Sequence, residues 1–173
     1  MSTEKKIMVA VLICISTLFI AKSGSIVVGN GAIPVERPFR IHSDATVIID
    51  WENQSINADG RPIVPWTMTA SQVSTEGWSN NQGEGVIYLD AFVAEGSGVC
   101  TDINGETITW DSSEVFGTQH TDVMFTGGTG QYETATGEFS FDYTIITSEL
   151  NDEGNPTKLT YTFWGAGSIT KMI

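Results

Sequence analysis

Positively charged residues are scarce in this sequence. The 173 residues include 8 Lys and Arg against 21 Asp and Glu, which gives this acidic chain a formal net charge of −13 at pH 7. A surface of that sign repels phosphate backbones and anionic lipid headgroups. The composition therefore argues against nucleic acid and against a membrane surface as binding partners.

Cysteine is also rare, with Cys14 near the N-terminus and Cys100 in the middle of the chain. If the N-terminal stretch is removed, one thiol remains and no internal disulfide can form. Cys100 lies in a run typical of a strand, with no basic residue close in sequence, so we interpret it as a buried small hydrophobe rather than a nucleophile. Two histidines and one such cysteine are too few for a zinc site. We expect no metal and no cofactor.

Residues 1–23 contain the three parts of a secretory signal peptide. Two lysines precede an uncharged apolar stretch over residues 7–21, and the small residues Ala21 and Ser23 permit cleavage after Ser23. The stretch is short for a spanning helix, which needs about 20 apolar residues, and retention as an anchor is the alternative. Cleavage removes three lysines and one glutamate, which leaves 5 bases, 20 acids and a net charge of −15. We expect a secreted or periplasmic protein without stable membrane insertion after cleavage.

Helical periodicity is nearly absent, and apolar and polar residues alternate instead. Residues 137–146 place aromatic and apolar side chains on one face and Ser140, Asp142 and Thr144 on the other. Residues 158–164 alternate in the same way, and turn signals such as Asn104-Gly105 separate the segments. About eight such segments at a spacing of about 8–12 residues predict an all-β sandwich or barrel.

We favour an antiparallel closed β-barrel of about eight strands. Closure removes the exposed strand edges that a chain with so few lysines cannot protect from aggregation. A sandwich is the first alternative, and an outer-membrane barrel is the second. The predicted organisation is a signal peptide over residues 1–23, an extended N-terminal segment over 24–44 and a single barrel domain over 45–173.

A glycine-punctuated segment follows the middle of the chain. The pattern Gly-Thr-Gly-x-aromatic-x-x-Ala-x-Gly is matched by Gly128, Thr129, Gly130, Tyr132, Ala135 and Gly137. This hairpin resembles that of the allene oxide cyclase and dirigent superfamily. The strand at Gly83-Glu-Gly85 and the hairpin at Asn104-Gly105 also look like parts of secreted bacterial members, so that the resemblance covers roughly residues 80–165.

The resemblance implies an eight-stranded barrel with an apolar lumen. Members of the superfamily cyclise a reactive epoxide, steer the radical coupling of phenols or carry out pericyclic cyclisations. They work mainly through the shape of an apolar cavity, which orients the reacting groups, and they need no metal. The resemblance carries no catalytic residue over to a numbered position of this chain.

The candidate ligand-binding residues are aromatic side chains expected to line or plug the lumen. They are Tyr88, Phe92, Phe139, Phe141, Tyr143, Tyr161 and Phe163. Asp90, which shares a strand face with Tyr88 and Phe92, and Glu84 are the candidate catalytic carboxylates. A carboxylate inside an apolar barrel has a raised pKa and can act as an acid or a base.

A histidine and an aspartate form a further candidate pair. His120 and Asp122 lie on one strand face, as a surface ion pair or as a proton relay. Asp142 points away from the aromatic face of its strand, which predicts that it is solvated.

The leading functional hypothesis is a secreted barrel that binds a small apolar or aromatic molecule in its lumen. A cyclase or isomerase that uses the cavity as a mould is one alternative. A structural or protein-interaction β module without a ligand is the other, because side chains can fill the interior of a small barrel. The sequence leaves open whether the protein is an enzyme and gives no oligomeric state.

Overall fold

The computed structural model describes residues 33–173, and the predicted signal peptide lies outside them. The described part is all-β, with nine strands and two short 3₁₀ turns, Trp51–Asn53 and Gly130–Tyr132. The strands are β1 (Pro34–Ile49), β2 (Ser55–Ile56), β3 (Pro62–Ser74), β4 (Gly77–Tyr88), β5 (Val93–Asp102), β6 (Thr107–Val115), β7 (His120–Gly128), β8 (Thr136–Leu150) and β9 (Pro156–Met172). Within residues 33–173, no helix is long and apolar enough to cross a membrane.

Eight of these strands form a closed ring. Each strand from β3 to β9 pairs with its neighbour in the chain, β9 pairs with β1, and β1 pairs with β3 to complete the circle. All of these pairings are antiparallel. The two-residue β2 adds to β3 beyond the end of β1. The predicted antiparallel barrel of about eight strands is therefore confirmed.

Strand β1 begins earlier than the sequence pattern indicated. It starts at Pro34 and pairs with β9 from there, while its pairing with β3 starts only at Ile41. The first half of β1 thus has one free edge, which tolerates Pro34 and Pro38 because a proline cannot donate to a neighbouring strand. Residues 34–44 belong to the barrel, and this corrects the predicted boundary at residue 45.

The alternation along β8 and β9 sets the core of the barrel. Phe139 and Phe141 from β8 and Phe163 from β9 are all buried and face inward. The rings of Phe141 and Phe163 stack with centroids 4.2 Å apart, and Phe39 of β1 meets Phe125 of β7 edge-on at 5.0 Å. Inward-facing apolar side chains thus meet across the barrel, as period-two alternation requires.

Two tryptophans lie on paired glycines in the wall formed by β4 and β5. Gly83 pairs with Gly98, and Gly85 pairs with Gly96. A Cβ at Gly83 would lie 2.6 Å from Trp110 Cη2, and one at Gly85 would lie 2.7 Å from Trp66 Cζ2. Glycine at these positions lets the two indoles approach the inner surface of the wall closely.

The glycine-rich connection between β7 and β8 closes one end of the barrel. Its 3₁₀ turn begins at Gly130, whose φ of +58° suits glycine, and places Tyr132 in the core with 1% of its surface exposed. Ala135 follows and is equally buried. We call this the plugged end, and we call the end at which β6 finishes and β7 begins the opposite end.

Candidate functional site

The candidate site is a cavity of about 110 Å³ in the lumen of the barrel. Its lining extends from Tyr132 at the plugged end to Glu114 and Phe116 at the opposite end. Aromatic and aliphatic side chains supply most of the wall between them. The interior is therefore not completely filled by side chains.

Five of the seven predicted ligand-binding aromatics line this cavity. Phe139, Phe141 and Tyr143 enter it from β8, and Tyr161 and Phe163 enter it from β9. Tyr143 and Tyr161 lie with ring centroids 4.7 Å apart. The prediction that these five side chains face the lumen, made from the alternation of β8 and β9, is therefore correct.

The prediction that Tyr88, Phe92 and Asp90 share a lumen face is wrong. Residues 85–94 do not form one strand, because β4 ends at Tyr88 and β5 begins only at Val93. Ile87 is the residue that points inward, with 2% of its surface exposed, so its neighbour Tyr88 points outward. Phe92 lies in the intervening turn with φ of +52° and is 62% exposed.

Asp90 and Glu84 are also outside the lumen. Arg61 donates to both carboxylate oxygens of Asp90, at 3.0 and 2.8 Å, and its guanidinium lies 3.9 Å from the centroid of the Tyr88 ring. The hydrogen bond from Arg61 lowers the pKa of Asp90, which is the opposite of the shift expected for a buried acid. Glu84 is exposed on the outer face of β4.

A carboxylate at the opposite end of the lumen, Glu114, is not among the predicted site residues. Its Oε1 accepts a hydrogen bond from the Tyr143 hydroxyl at 2.7 Å, and its Oε2 accepts one from the Thr121 hydroxyl at 2.9 Å. Burial raises the pKa of Glu114 above its usual value, and the hydrogen bonds from Tyr143 and Thr121 oppose that shift. Strand β6 continues past Trp110 to Val115, so that Glu114 shares the parity of Trp110. Extending that alternation would have found it.

A buried polar group lies in the lumen wall on β3, β4 and β5, and its members are Gln72, Ser79, Asn81 and Cys100. Gln72 donates from Nε2 to the Ser79 hydroxyl at 2.9 Å and to Cys100 Sγ at 3.2 Å. Asn81 donates to Gln72 Oε1 at 3.2 Å and accepts from Trp110 Nε1 at 2.9 Å. Burial raises the pKa of the Cys100 thiol to about 12, so the thiol remains protonated at neutral pH. The hydrogen bonds of this group fix Trp110, and burial disfavours the reactive thiolate form of Cys100.

The plugged end carries a buried ion pair. Lys171 of β9 and Glu76 of the turn between β3 and β4 form a salt bridge, and their side chains are 8% and 10% exposed. Lys171 also donates to Gln131 Oε1 at 3.0 Å, and the Tyr132 hydroxyl donates to Glu76 Oε2 at 3.4 Å. This end is held by charge and hydrogen bonds, whereas the middle of the lumen is aromatic.

His120 and its carboxylate partners lie on the outer surface. His120 Nδ1 is 2.7 Å from Asp142, and Nε2 is 3.6 Å from Asp122. The hydrogen bond with Asp142 raises the pKa of His120. In residues 33–173, no three His, Cys, Asp or Glu side chains are grouped to hold a metal ion. The exposed carboxylates make this a surface ion-pair cluster, separate from the lumen.

A second concavity of about 400 Å³ lies outside the lumen, beside the 3₁₀ turn Trp51–Asn53. It is larger than the lumen cavity, but its walls include the polar residues Asp50, Thr67 and Asn151 and lack the phenylalanines of the interior. Small-molecule sites are mostly apolar with few polar groups. The lumen fits that description better, and we take it as the candidate site.

Comparison with known proteins gives limited similarity. The chain matches no model of a known protein family, and no curated protein matches it. Among solved structures it is similar to the pterocarpan synthase dirigent protein, with 12% sequence identity and a TM-score of 0.44, over 84% of this chain and 95% of that chain. A likeness of this size assigns neither an activity nor a ligand.

Proposed function

We propose that this chain is an exported, dirigent-like barrel that binds a small aromatic or apolar molecule in its lumen. The observation that carries the proposal is the cavity of about 110 Å³ lined by Phe139, Phe141, Tyr143, Tyr161 and Phe163. Pockets for drug-sized ligands measure about 300–1,000 Å³, whereas a cavity of about 150 Å³ in another protein binds benzene. A ligand of about one six-membered ring fits this lumen best.

Filling the cavity should abolish binding. Ser112 and Ser113 are neighbours on β6; Ser112 lines the cavity and Ser113 is exposed on the outside. We expect single-ring probes such as toluene and phenol to raise the midpoint of thermal unfolding of the unmodified chain and of Ser113→Leu. Ser112→Leu should lose that shift because the added side chain occupies the void.

Calorimetric titration of the same three proteins gives the affinities directly. The lumen is not the binding site if Ser112→Leu and Ser113→Leu bind the probes equally well. If the unmodified chain binds none of the probes, the barrel is a packed module without a ligand of this size.

A cyclase or isomerase is the second candidate function, and Glu114 is the observation that favours it. This carboxyl lines the opposite end of an aromatic cavity, where it is within reach of a bound molecule, as a group that gives or takes a proton during catalysis must be. Because burial raises its pKa, Glu114 can carry a proton at a pH where exposed carboxylates are ionised.

The pKa of Glu114 tests this second candidate. Carbon-detected NMR titration should place it above the usual value of about 4.3, with the signal assigned by its loss in Glu114→Gln. Tyr143→Phe should raise this pKa further, because the Tyr143 hydroxyl stabilises the ionised carboxylate. The conformational stability linked to Glu114 is then greatest below the unfolded pKa and falls as pH rises towards the folded pKa. A pKa at or below the usual value would remove the proposed acid.

A further inference from the structure

One buried donor in the lumen wall has no acceptor. Among the buried side-chain nitrogen and oxygen atoms that the structure describes, Trp66 Nε1 is the one without a hydrogen-bond partner. Two other indoles of the barrel do have acceptors: Trp51 donates to the Pro156 carbonyl at 2.7 Å, and Trp110 donates to Asn81 Oδ1 at 2.9 Å. Leaving a buried donor unpaired costs about 1–3 kcal/mol, so such a group calls for a physical reason.

The Trp66 indole lies on the inner surface of the barrel. The inward positions Gly85 and Gly96 would each bring a Cβ against its Cζ2 atom, which is two bonds from Nε1. Trp66 also contributes to the lining of the lumen cavity. The indole therefore belongs to the wall of the cavity that holds the five aromatics, and Trp66 also lines the concavity beside Trp51–Asn53.

A second donor of the same cavity is poorly paired. The Tyr161 hydroxyl is buried, and its recorded partner is Met68 Sδ at 3.6 Å. A thioether sulfur is a weak acceptor compared with a carbonyl or hydroxyl oxygen. Burial raises the pKa of Tyr161, so its hydroxyl keeps the proton that it can donate. Met68 is two residues from Trp66 on β3, and it also faces inward.

The carboxylates at the two ends of the cavity, Glu114 and Glu76, do not accept a hydrogen bond from Trp66 or Tyr161. Glu114 already accepts from Tyr143 and Thr121, and Glu76 already pairs with Lys171 and accepts from Tyr132. The acceptors Gln72 and Asn81 in the wall are likewise engaged with each other and with Trp110. The buried atom of the wall that is left without a partner in the described residues is thus a donor, and an acceptor on the ligand would complement it.

We propose that the ligand of the lumen is a single-ring molecule carrying a carbonyl-type oxygen, and that Trp66 Nε1–H donates a hydrogen bond to this oxygen. The Tyr161 hydroxyl is the second donor that the cavity offers to such a group. This inference rests on the proposed function, because it names the chemistry of the molecule bound in the same lumen. It makes Trp66 a specificity-determining residue, whereas the phenylalanines provide affinity for the ring without distinguishing its substituents.

The test compares two probes of the same shape. Acetophenone has a carbonyl oxygen where α-methylstyrene has a methylene group, so that both place the same ring in the cavity. We expect the unmodified chain to bind acetophenone about three- to tenfold more tightly by calorimetric titration, as one added hydrogen bond gives. In Trp66→Phe most of this preference should be lost, and the remainder should come from the Tyr161 hydroxyl. Tyr161→Phe should reduce the preference without removing it.

The indole N–H resonances provide a direct readout. The chain has 5 tryptophans, and the Trp66 signal in a ¹H–¹⁵N spectrum is assigned by its loss in Trp66→Phe. Acetophenone should shift this proton downfield, as a new hydrogen bond does, and α-methylstyrene should not. The comparison of probes in the unmodified chain remains decisive if the Trp66→Phe variant does not fold, because the signal is then assigned by its contacts with the ring protons of the probe.

Each outcome has a distinct meaning. Equal binding of the two probes by the unmodified chain overturns the role of Trp66 but leaves binding in the lumen intact. A persistent cross-peak between the Trp66 N–H and water in the presence of bound acetophenone identifies water as the partner and also overturns it. If neither probe binds while the chain is folded, the proposed function fails and this inference fails with it.

Discussion

Replacing Gly98 with alanine is expected to lower the free energy of unfolding by about 3 kcal/mol, which is the upper part of the usual range for an overpacked core. The new Cβ would overlap Trp110 Cζ2 and the Gln82 carbonyl oxygen, and it would lie 2.6 Å from Trp110 Cε2. The indole cannot withdraw freely, because its Nε1 donates to Asn81 within the buried polar group. Backbone and side chain must therefore both move.

Urea denaturation followed by circular dichroism measures the effect of Gly98→Ala. For a domain of this size the loss corresponds to a fall in the melting temperature of about 6–12 °C. Ser97→Ala is the matched control, because Ser97 is the exposed neighbour of Gly98, and a change there should stay within about 0.5 kcal/mol. In a Trp110→Phe background, Gly98→Ala should cost about 1 kcal/mol less, since the smaller ring gives way. An unchanged denaturation midpoint for Gly98→Ala would mean that the indole does not rest on this glycine.

The strands of the second half of the barrel could be predicted from the sequence because each obeys a single rule. Over residues 139–143 of β8 and 159–163 of β9 the alternation is unbroken, so the inward positions of Phe139, Phe141 and Phe163 follow from parity alone. The closure of the barrel could be predicted because exposed strand edges favour aggregation and the chain has few lysines to protect them. These conclusions needed no knowledge of long-range contacts.

The errors in the site prediction occurred where distant residues decide the local structure. The turn between β4 and β5 is anchored by the Leu89 amide, which donates to the Pro62 carbonyl at 3.0 Å, and by the ion pair of Arg61 with Asp90. Phe92 also adopts a positive φ that an aromatic residue rarely takes. A run of apolar residues with one aspartate gives no local sign of such a turn, so an uninterrupted strand was predicted there.

Glu114 and the plugged end show a related limit. The alternation along β6 places Glu114 on the same inward face as Trp110. A charged residue at the end of a strand is usually solvated, however, so the sequence alone favours the outward position. Lys171 and Glu76 are 95 residues apart in the chain, and nothing in the alternation indicates that they meet. Polar groups in the lumen are positioned by the closed ring as a whole, whereas its apolar wall is encoded strand by strand.

Removing the charge of Lys171 tests how the plugged end is held. Lys171→Met should lower the free energy of unfolding by about 3 kcal/mol, because it leaves Glu76 as an uncompensated buried carboxylate. The Glu76 side chain is 10% exposed, and the Tyr132 hydroxyl at 3.4 Å is the remaining contact that can offset its charge. The stem of methionine conserves most of the packing of lysine, so the loss reports mainly on the charge.

The double variant Lys171→Met, Glu76→Gln should recover much of this stability, since no charge is then left buried. Lys158→Met is the matched control: its ion pair with Glu149 has an N–O distance of 2.6 Å, but the side chains are 42% and 63% exposed. Solvent screens such a pair, and its loss should cost less than about 1 kcal/mol. Equal urea midpoints for Lys171→Met and Lys158→Met would show that the plugged end owes its stability to the packing of Tyr132 and Ala135 and not to the ion pair.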